Sequence, residues 1–100
     1  MDVSFASDRL LQCYRDRKTR VREWGDKIAG LYVRRVDVLH AARDAQELRR
    51  IRSLRFHALK GDRSGQYAID LDDAYRLIVV FKNDAMTVVE VEEVSKHYDD

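Results

Sequence analysis

The stretch that decides the fold class runs from residue 67 to residue 94 and reads YAIDLDDAYRLIVVFKNDAMTVVEVEEV. Its first part, Tyr67 to Leu71, alternates large apolar residues with alanine and aspartate, which is typical of a half-buried strand. Tyr75 to Phe81 is almost wholly apolar, as in a central strand covered on both faces, and Thr87 to Val94 is rich in valine. Because only short turns separate these segments, neighbouring strands must be antiparallel, and the stretch predicts a β-meander.

The residues before the meander carry mainly helical patterns. Residues 3–6 alternate briefly and predict a short edge strand. Apolar residues recur at helical spacing over 7–25, which ends in a glycine, and again over 26–39. A capping box opens a third, short helix over 44–50. The expected fold is α+β, with two N-terminal antiparallel helices packed on a small antiparallel sheet, in one domain spanning residues 1–100.

Composition places the chain among folded soluble proteins. It is 45% hydrophobic over 100 residues, and no apolar run approaches the ~20 residues of a membrane span. A single cysteine, Cys13, excludes a disulfide framework or a cysteine-based zinc site within one chain. The first residues lack a signal-peptide pattern. We therefore expect a cytoplasmic protein with no membrane partner. Cys13, Tyr14 and Trp24 stand at helical spacing and are expected to be packing residues.

The net charge of +1 conceals a strong asymmetry. Residues 1–63 hold 16 Lys and Arg against 9 Asp and Glu, whereas residues 64–100 hold 3 against 9. The basic part suits a polyanion and the acidic part suits a basic peptide. The simpler interpretation is that arginine-rich helices keep a small domain soluble.

A basic turn and two histidines are the first candidates for a site. Residues 60–65, KGDRSG, combine two cations with two glycines that permit positive φ, so the turn could cradle an anion. The turn lacks the spacing and the following helix of a P-loop, and an ordinary turn is the alternative. His57 precedes it and His97 follows the last strand, and a meander could bring both imidazoles to one edge to share acid and base work. The alternative roles are packing for His57 and a frayed terminus for His97.

Arg76 is a lone cation within the apolar central strand. Its guanidinium could be a fixed fork of donors aimed at a phosphate oxygen. The alternative is a structural ion pair with a carboxylate that pins the sheet; the candidates are Asp70, Asp72 and Glu90.

Other candidates are weaker. His40, at the end of the second predicted helix, fits only a helix-dipole role. Two histidines without cysteine or a defined spacing match no strong zinc pattern, so no metal ion or other cofactor is expected. Glu92 and Glu93 could suggest glycosidase-like acid–base chemistry, but adjacent residues on a strand point to opposite faces, so the two carboxylates cannot flank one bond.

These motifs resemble the HigB branch of the RelE/ParE superfamily, the toxins of type II toxin–antitoxin pairs. The resemblance rests on residues 57–67 with their Leu-Lys-Gly-Asp turn, on the aromatic-Arg-Leu segment at 75–77, and on VSKHY at 94–98. It extends over nearly the whole chain. Members of that branch often have a polar residue where this chain has Ala74 and a carboxylate where it has Ser95.

The resemblance implies a RelE-like fold and a ribosome-dependent mRNA endoribonuclease that inhibits translation without a metal or cofactor. In the implied reaction the ribose 2′-OH attacks the adjacent phosphate. The implied catalytic residues are His57, Lys60, Arg76 and His97. The residues implied to contact RNA or the ribosome are Arg55, Arg63, Lys96 and Tyr98. The implied partners are the ribosome, mRNA and a HigA-like antitoxin, which would join the toxin in a hetero-oligomer.

Two other functions remain open at the level of sequence. A ParE-like inhibitor of DNA gyrase would use the same scaffold without hydrolysis, although such an inhibitor does not need the set His57, Lys60 and His97. A catalytically degenerate toxin would act only by binding a partner, and Ala74 and Ser95 favour it.

Overall fold

A computed structural model describes residues 1–96 of the protein. The described chain forms three helices and five strands, which confirms the α+β class. In chain order these elements are β1 (Asp2–Phe5), α1 (Asp8–Arg15), α2 (Arg17–Ala41), α3 (Ala45–Arg50), β2 (His57–Ala58), β3 (Gln66–Asp70), β4 (Tyr75–Phe81) and β5 (Val88–Lys96). Short 3-10 turns at Arg52–Leu54 and Gly61–Arg63 flank β2.

The strands form one sheet in the order β1-β5-β4-β3-β2. The segment β3-β4-β5 is the predicted antiparallel meander. The predicted edge strand over 3–6 is present as β1, which pairs with β5. The sheet is larger than predicted because β2 adds to β3. The pairing of β1 is parallel, so the sheet is mixed rather than purely antiparallel. No tight turn joins β1 to β5, so the length of the connection could not predict whether the two strands run parallel or antiparallel.

The first predicted helix, over 7–25, is interrupted. Asp16 has extended backbone angles (φ −125°, ψ 117°), and its carboxylate accepts a hydrogen bond from the backbone N–H of Thr19 at 2.9 Å. Asp16 thus ends α1 and caps α2, which the continuous apolar spacing did not indicate. Gly25, with φ 82°, breaks the helical path where the sequence predicts a helix end.

The capping box at the third helix is confirmed with one change of partner. The Asp44 carboxylate accepts from the Glu47 N–H at 3.1 Å, whereas the Glu47 carboxylate accepts from the N–H of Arg43 at 2.6 Å.

The hydrophobic core lies between the helices and one face of the sheet. Tyr32 is fully buried there, and its hydroxyl donates to the Leu10 carbonyl oxygen at 2.7 Å. Burial raises the pKa of the Cys13 thiol and of the Tyr32 hydroxyl. Trp24 contacts Tyr32 with ring centroids 4.6 Å apart, and Tyr14 stacks on Phe5, so the predicted packing roles of these residues are confirmed. Within residues 1–96, no helix combines the length and apolar character needed to cross a membrane.

Candidate active site

The sheet register places His57 and Arg76 on the face that turns away from the helices. His57 lies opposite Ala68 on β3, and Arg76 lies opposite Asp70, two residues further along the same strand. Residues directly opposite each other in a sheet share a face, as do residues two apart. Leu77 and Val79 alternate with Arg76 along β4 and belong to the helix-side core. His57 and Arg76 therefore project from the other, open face.

A cleft of about 480 Å³ lies on this face. Its walls and floor are formed by His57, Ala58, Leu59, Lys60, Arg63 and Arg76. The cleft thus brings together three of the four residues predicted to be catalytic, with Arg63 from the predicted RNA-binding set. The fourth, His97, and the predicted contact residue Tyr98 lie outside the described residues.

Arg76 is the only charged residue that is buried within residues 1–96, with 6% of its surface exposed. The carboxylates that were candidates to pin it contact other cations: Asp70 lies 3.4 Å from Arg55, Asp72 lies 3.5 Å from Lys27, and Glu90 lies 3.5 Å from Lys82. Arg76 also lines the cleft, where a guanidinium is a group suited to binding the oxygens of an anion.

The turn from β3 to β4 fixes the position of the backbone just before Arg76. Asp72 Oδ1 accepts hydrogen bonds from the backbone N–H groups of Ala74 and Tyr75, at 2.8 and 2.7 Å. Burial would raise the pKa of Asp72, but these two hydrogen bonds and the nearby Lys27 outweigh it, and the pKa is lowered. The ionised carboxylate therefore stabilises the turn that leads directly into Arg76.

His57 is exposed, and one of its ring nitrogens is engaged by the backbone. Its Nδ1 lies 2.7 Å from the carbonyl oxygen of Arg55, a residue with a left-handed backbone (φ 48°). A carbonyl oxygen only accepts, so we assign the proton to Nδ1. The neutral ring then has Nε2 as its basic nitrogen, the state that a proton-transfer group needs.

The basic turn of residues 60–65 adopts the backbone that its glycines predict. Gly61 (φ 65°) and Gly65 (φ 95°) both have left-handed conformations that other residues rarely adopt. Between them, a 3-10 turn carries Arg63 to the cleft, and Lys60 precedes that turn.

Glu93 is a site neighbour that the sequence analysis set aside. Its Oε1 accepts a hydrogen bond from Arg63 Nη1 at 2.8 Å. Val91 and Val94 both pack on the helix side, so the two residues between them, Glu92 and Glu93, share the open face. A β-bulge opposite the Ile78–Val79 step makes this possible. The assumption of a regular strand was therefore wrong here, and the spacing of the apolar residues, which changes from two to three, was its sequence signal.

The bulge also joins two carboxyl groups. Glu90 and Glu92 lie close enough for each to shift the pKa of the other. Burial raises the pKa of Glu92, and the hydrogen bond and charge of Glu90 raise it further. The pKa of Glu90 is lowered, first by its hydrogen bond with Glu92 and also by Lys82.

The remaining predicted contact residues lie beside the cleft. Arg55 is exposed and pairs with Asp70, and Lys96 is exposed at the end of β5, opposite Tyr75. Neither residue lines the cleft. In the part of the chain that the structure describes, no group of three or more His, Cys, Asp or Glu side chains could hold a metal ion.

Comparison with known proteins identifies a family. The model of a family described as the RelE-like toxin HigB of type II toxin–antitoxin systems matches residues 3–93. The fold is similar to that of a YoeB/ParE toxin from Agrobacterium tumefaciens, with a TM-score of 0.58 and 15% identity over 98% of this chain and 100% of the other. No curated protein sequence matches the chain significantly.

Two further solved structures share the fold. A YafQ mutant from E. coli has a TM-score of 0.58 and 16% identity, over 96% of this chain and 92% of the other. A YoeB–YefM complex from Staphylococcus aureus has a TM-score of 0.54 and 17% identity, over 98% of both chains.

Proposed function

We propose that this chain, which belongs to the RelE-like HigB family of toxins in type II toxin–antitoxin systems, is an endoribonuclease that cleaves mRNA on the ribosome. The observation that carries the proposal is the cleft of the open face, in which an imidazole, an ammonium and two guanidinium groups meet. Cations and a proton-transfer group are what cleavage of a phosphodiester by its own 2′-OH requires.

In the proposed reaction the ribose 2′ oxygen attacks phosphorus while the bond from phosphorus to the 5′ oxygen breaks. One group takes the 2′ proton and another gives a proton to the leaving 5′ oxygen, which leaves a cyclic phosphate on the first fragment. Arg76 holds the non-bridging oxygens, and Lys60 adds positive charge as the pentacovalent state forms. His57 transfers one of the protons through Nε2, and His97 is proposed for the other.

The surface that would hold the ribosome is basic. Five arginines in the segment from 43 to 55 have exposed side chains: Arg43, Arg49, Arg50, Arg52 and Arg55. Such a surface attracts the phosphates of ribosomal RNA without reading sequence, and the contact weakens as salt rises. Ribosome binding by this segment, together with Lys96 and Tyr98, therefore stays a proposal that a salt titration can test.

The proposed partner in the resting cell is an antitoxin of the HigA type, which would form a hetero-oligomer with the toxin in the cytoplasm. The family is defined by toxin–antitoxin pairs, and one structure of similar fold is a YoeB–YefM complex. Purification of the toxin with the product of a neighbouring gene would test this pairing.

Purified ribosomes programmed with a defined mRNA test the proposed activity. We expect the wild-type protein to cut the mRNA with chelator present, and a variant carrying Arg76→Ala to cut about 100-fold more slowly, as for loss of one positioned charge contact. Inhibition of DNA supercoiling by purified gyrase, with intact mRNA, would instead identify a ParE-like inhibitor. If the wild-type protein shows neither mRNA cleavage nor gyrase inhibition, it is a toxin that only binds its partner.

A further inference from the structure

We propose that Glu93 and Gln66 are positioning residues that hold Arg63 as a second phosphate-binding guanidinium beside Arg76. The inference rests on the proposed function, because it assigns a task within the same cleft. Arg63 and Arg76 both line that cleft, but they differ in how they are fixed. Arg76 lies on the rigid central strand, whereas Arg63 lies on a short turn at the surface.

The hydrogen bonds of Arg63 use one end of its guanidinium. Nη1 donates to Gln66 Oε1 at 2.9 Å and to Glu93 Oε1 at 2.8 Å. Nη1 carries two hydrogens, so these two bonds satisfy it. Within residues 1–96, neither Nε nor Nη2 of Arg63 has a hydrogen-bond partner. These two nitrogens form the edge of the guanidinium that binds two oxygens of a phosphate side by side.

The two acceptors come from strands on either side of β4. Gln66 lies opposite Val80, and Glu93 lies opposite Ile78, so both acceptors rise beside one short stretch of the central strand. Their bonds to Arg63 connect the surface turn to two strands of the sheet, β3 and β5. Glu93 lies on this face because of the bulge in β5. The long arginine side chain is thereby ordered before a ligand arrives, which reduces the entropy lost on binding.

A carboxylate so close to a phosphate site also repels the phosphate. Glu93 therefore favours RNA binding by ordering Arg63 and opposes it by repulsion. The Arg63 and Glu93 side chains are 39% and 44% exposed, so water screens the repulsion. The two hydrogen bonds of Nη1 are directional contacts that need no low dielectric to orient the side chain. We therefore expect ordering to outweigh repulsion, and removal of Glu93 to weaken RNA binding rather than to strengthen it.

A double-mutant cycle on Arg63 and Glu93 tests the proposal. Binding is measured by anisotropy of a short fluorescein-labelled single-stranded RNA, and cleavage is measured as a first-order rate on ribosomes saturated with toxin. We expect Glu93→Ala to weaken RNA binding about three- to fivefold, the range of a part-exposed ion pair. The saturated cleavage rate should change less than about twofold, because the contact is made equally in the ground state and the transition state.

The decisive variant combines Arg63→Ala with Glu93→Ala. If Glu93 acts through Arg63, the double variant binds RNA no more weakly than Arg63→Ala alone. The proposal would be overturned if the losses of RNA affinity from the two single substitutions multiplied in the double variant. It would also be overturned if Glu93→Ala bound RNA more tightly than the wild type or equally well. Glu92→Ala truncates the same side chain at the next residue and is the matched control, expected not to weaken binding.

Two further measurements keep the outcomes distinct. Should Glu93→Ala fail to fold, Glu93→Gln is expected to give a smaller loss in the same direction, and no loss would overturn the proposal. Failure of the wild-type protein to cut mRNA on ribosomes would contradict the proposed function, whereas the binding cycle would still report on Arg63.

Discussion

His57 and Arg76 line the same cleft because the strand between them, β3, sets their register. Their partners on that strand, Ala68 and Asp70, are two residues apart, so both side chains emerge from the open face of the sheet. One histidine from an edge strand and one arginine from the central strand are thereby placed on one side of a site. This relationship underlies the assignment of proton transfer to His57 and of phosphate binding to Arg76.

The role proposed for Arg76 predicts a loss of toxicity. Arg76→Ala should relieve growth arrest in cells and leave binding of the antitoxin nearly intact. The matched control is Arg22→Ala, because Arg22 is exposed outside both the cleft and the basic segment from 43 to 55. Arg76 is buried, so a melting curve must show that the variant is folded before its activity is compared. A folded Arg76→Ala protein with full toxicity would contradict the role.

The role proposed for His57 predicts a selective effect of imidazole removal. His57→Ala should slow cleavage about 100-fold, the lower end of what a positioned acid or base contributes. His40→Ala is the control, because His40 stacks on Tyr14 away from the cleft, and it should leave the rate unchanged. The measurement is the single-turnover rate on programmed ribosomes, and equal rates for the two variants would remove His57 from the mechanism.

The carboxyl pair on β5 predicts a pH-dependent stability difference. The pKa of Glu92 is raised in the folded protein, chiefly by burial, so folding favours its protonated form. Its contribution is therefore present below the ordinary carboxyl pKa and is lost as pH rises through the raised value. Glu92→Gln keeps a neutral group that can donate to Glu90. At neutral pH, its free energy of unfolding should exceed that of the wild type by about 1 kcal/mol.

Urea unfolding at several pH values checks that sign. The advantage of Glu92→Gln should shrink as pH falls through the raised pKa of Glu92 toward the ordinary range of a glutamate carboxyl. A variant that is less stable than the wild type at neutral pH would show that Glu92 is favoured in its ionised form.

The buried hydroxyl of Tyr32 predicts a stability loss that is independent of activity. Tyr32→Phe removes the hydrogen bond to the Leu10 carbonyl oxygen inside the core and should lower the free energy of unfolding by about 1–2 kcal/mol. Tyr14→Phe removes an exposed hydrogen bond to Asp37 and should cost less. Chemical denaturation of both variants compares them, and a larger loss for Tyr14→Phe would contradict the burial argument.

Much of this architecture follows from local patterns. The meander, the edge strand and the capped third helix depend on alternation, turn residues and side-chain caps, all of which act over a few residues. The position of Arg76 on the central strand was also predictable, because short turns force the register of neighbouring strands.

The features that were not predicted depend on competition or on distant pairing. The break at Asp16 arises because a side-chain cap outweighs continuous helical spacing. The parallel pairing of β1 and the addition of β2 involve segments without a tight turn to fix them. Glu93 was excluded by assuming a regular strand, although the longer spacing from Val91 to Val94 marks the bulge.

Mapping of mRNA 5′ ends after a brief pulse of expression tests the central claim most directly. We expect new ends within translated coding regions for the wild-type protein, and their loss for a folded Arg76→Ala protein. Intact transcripts during wild-type growth arrest, or the same new ends with Arg76→Ala, would contradict the claim that the cationic cleft cleaves RNA.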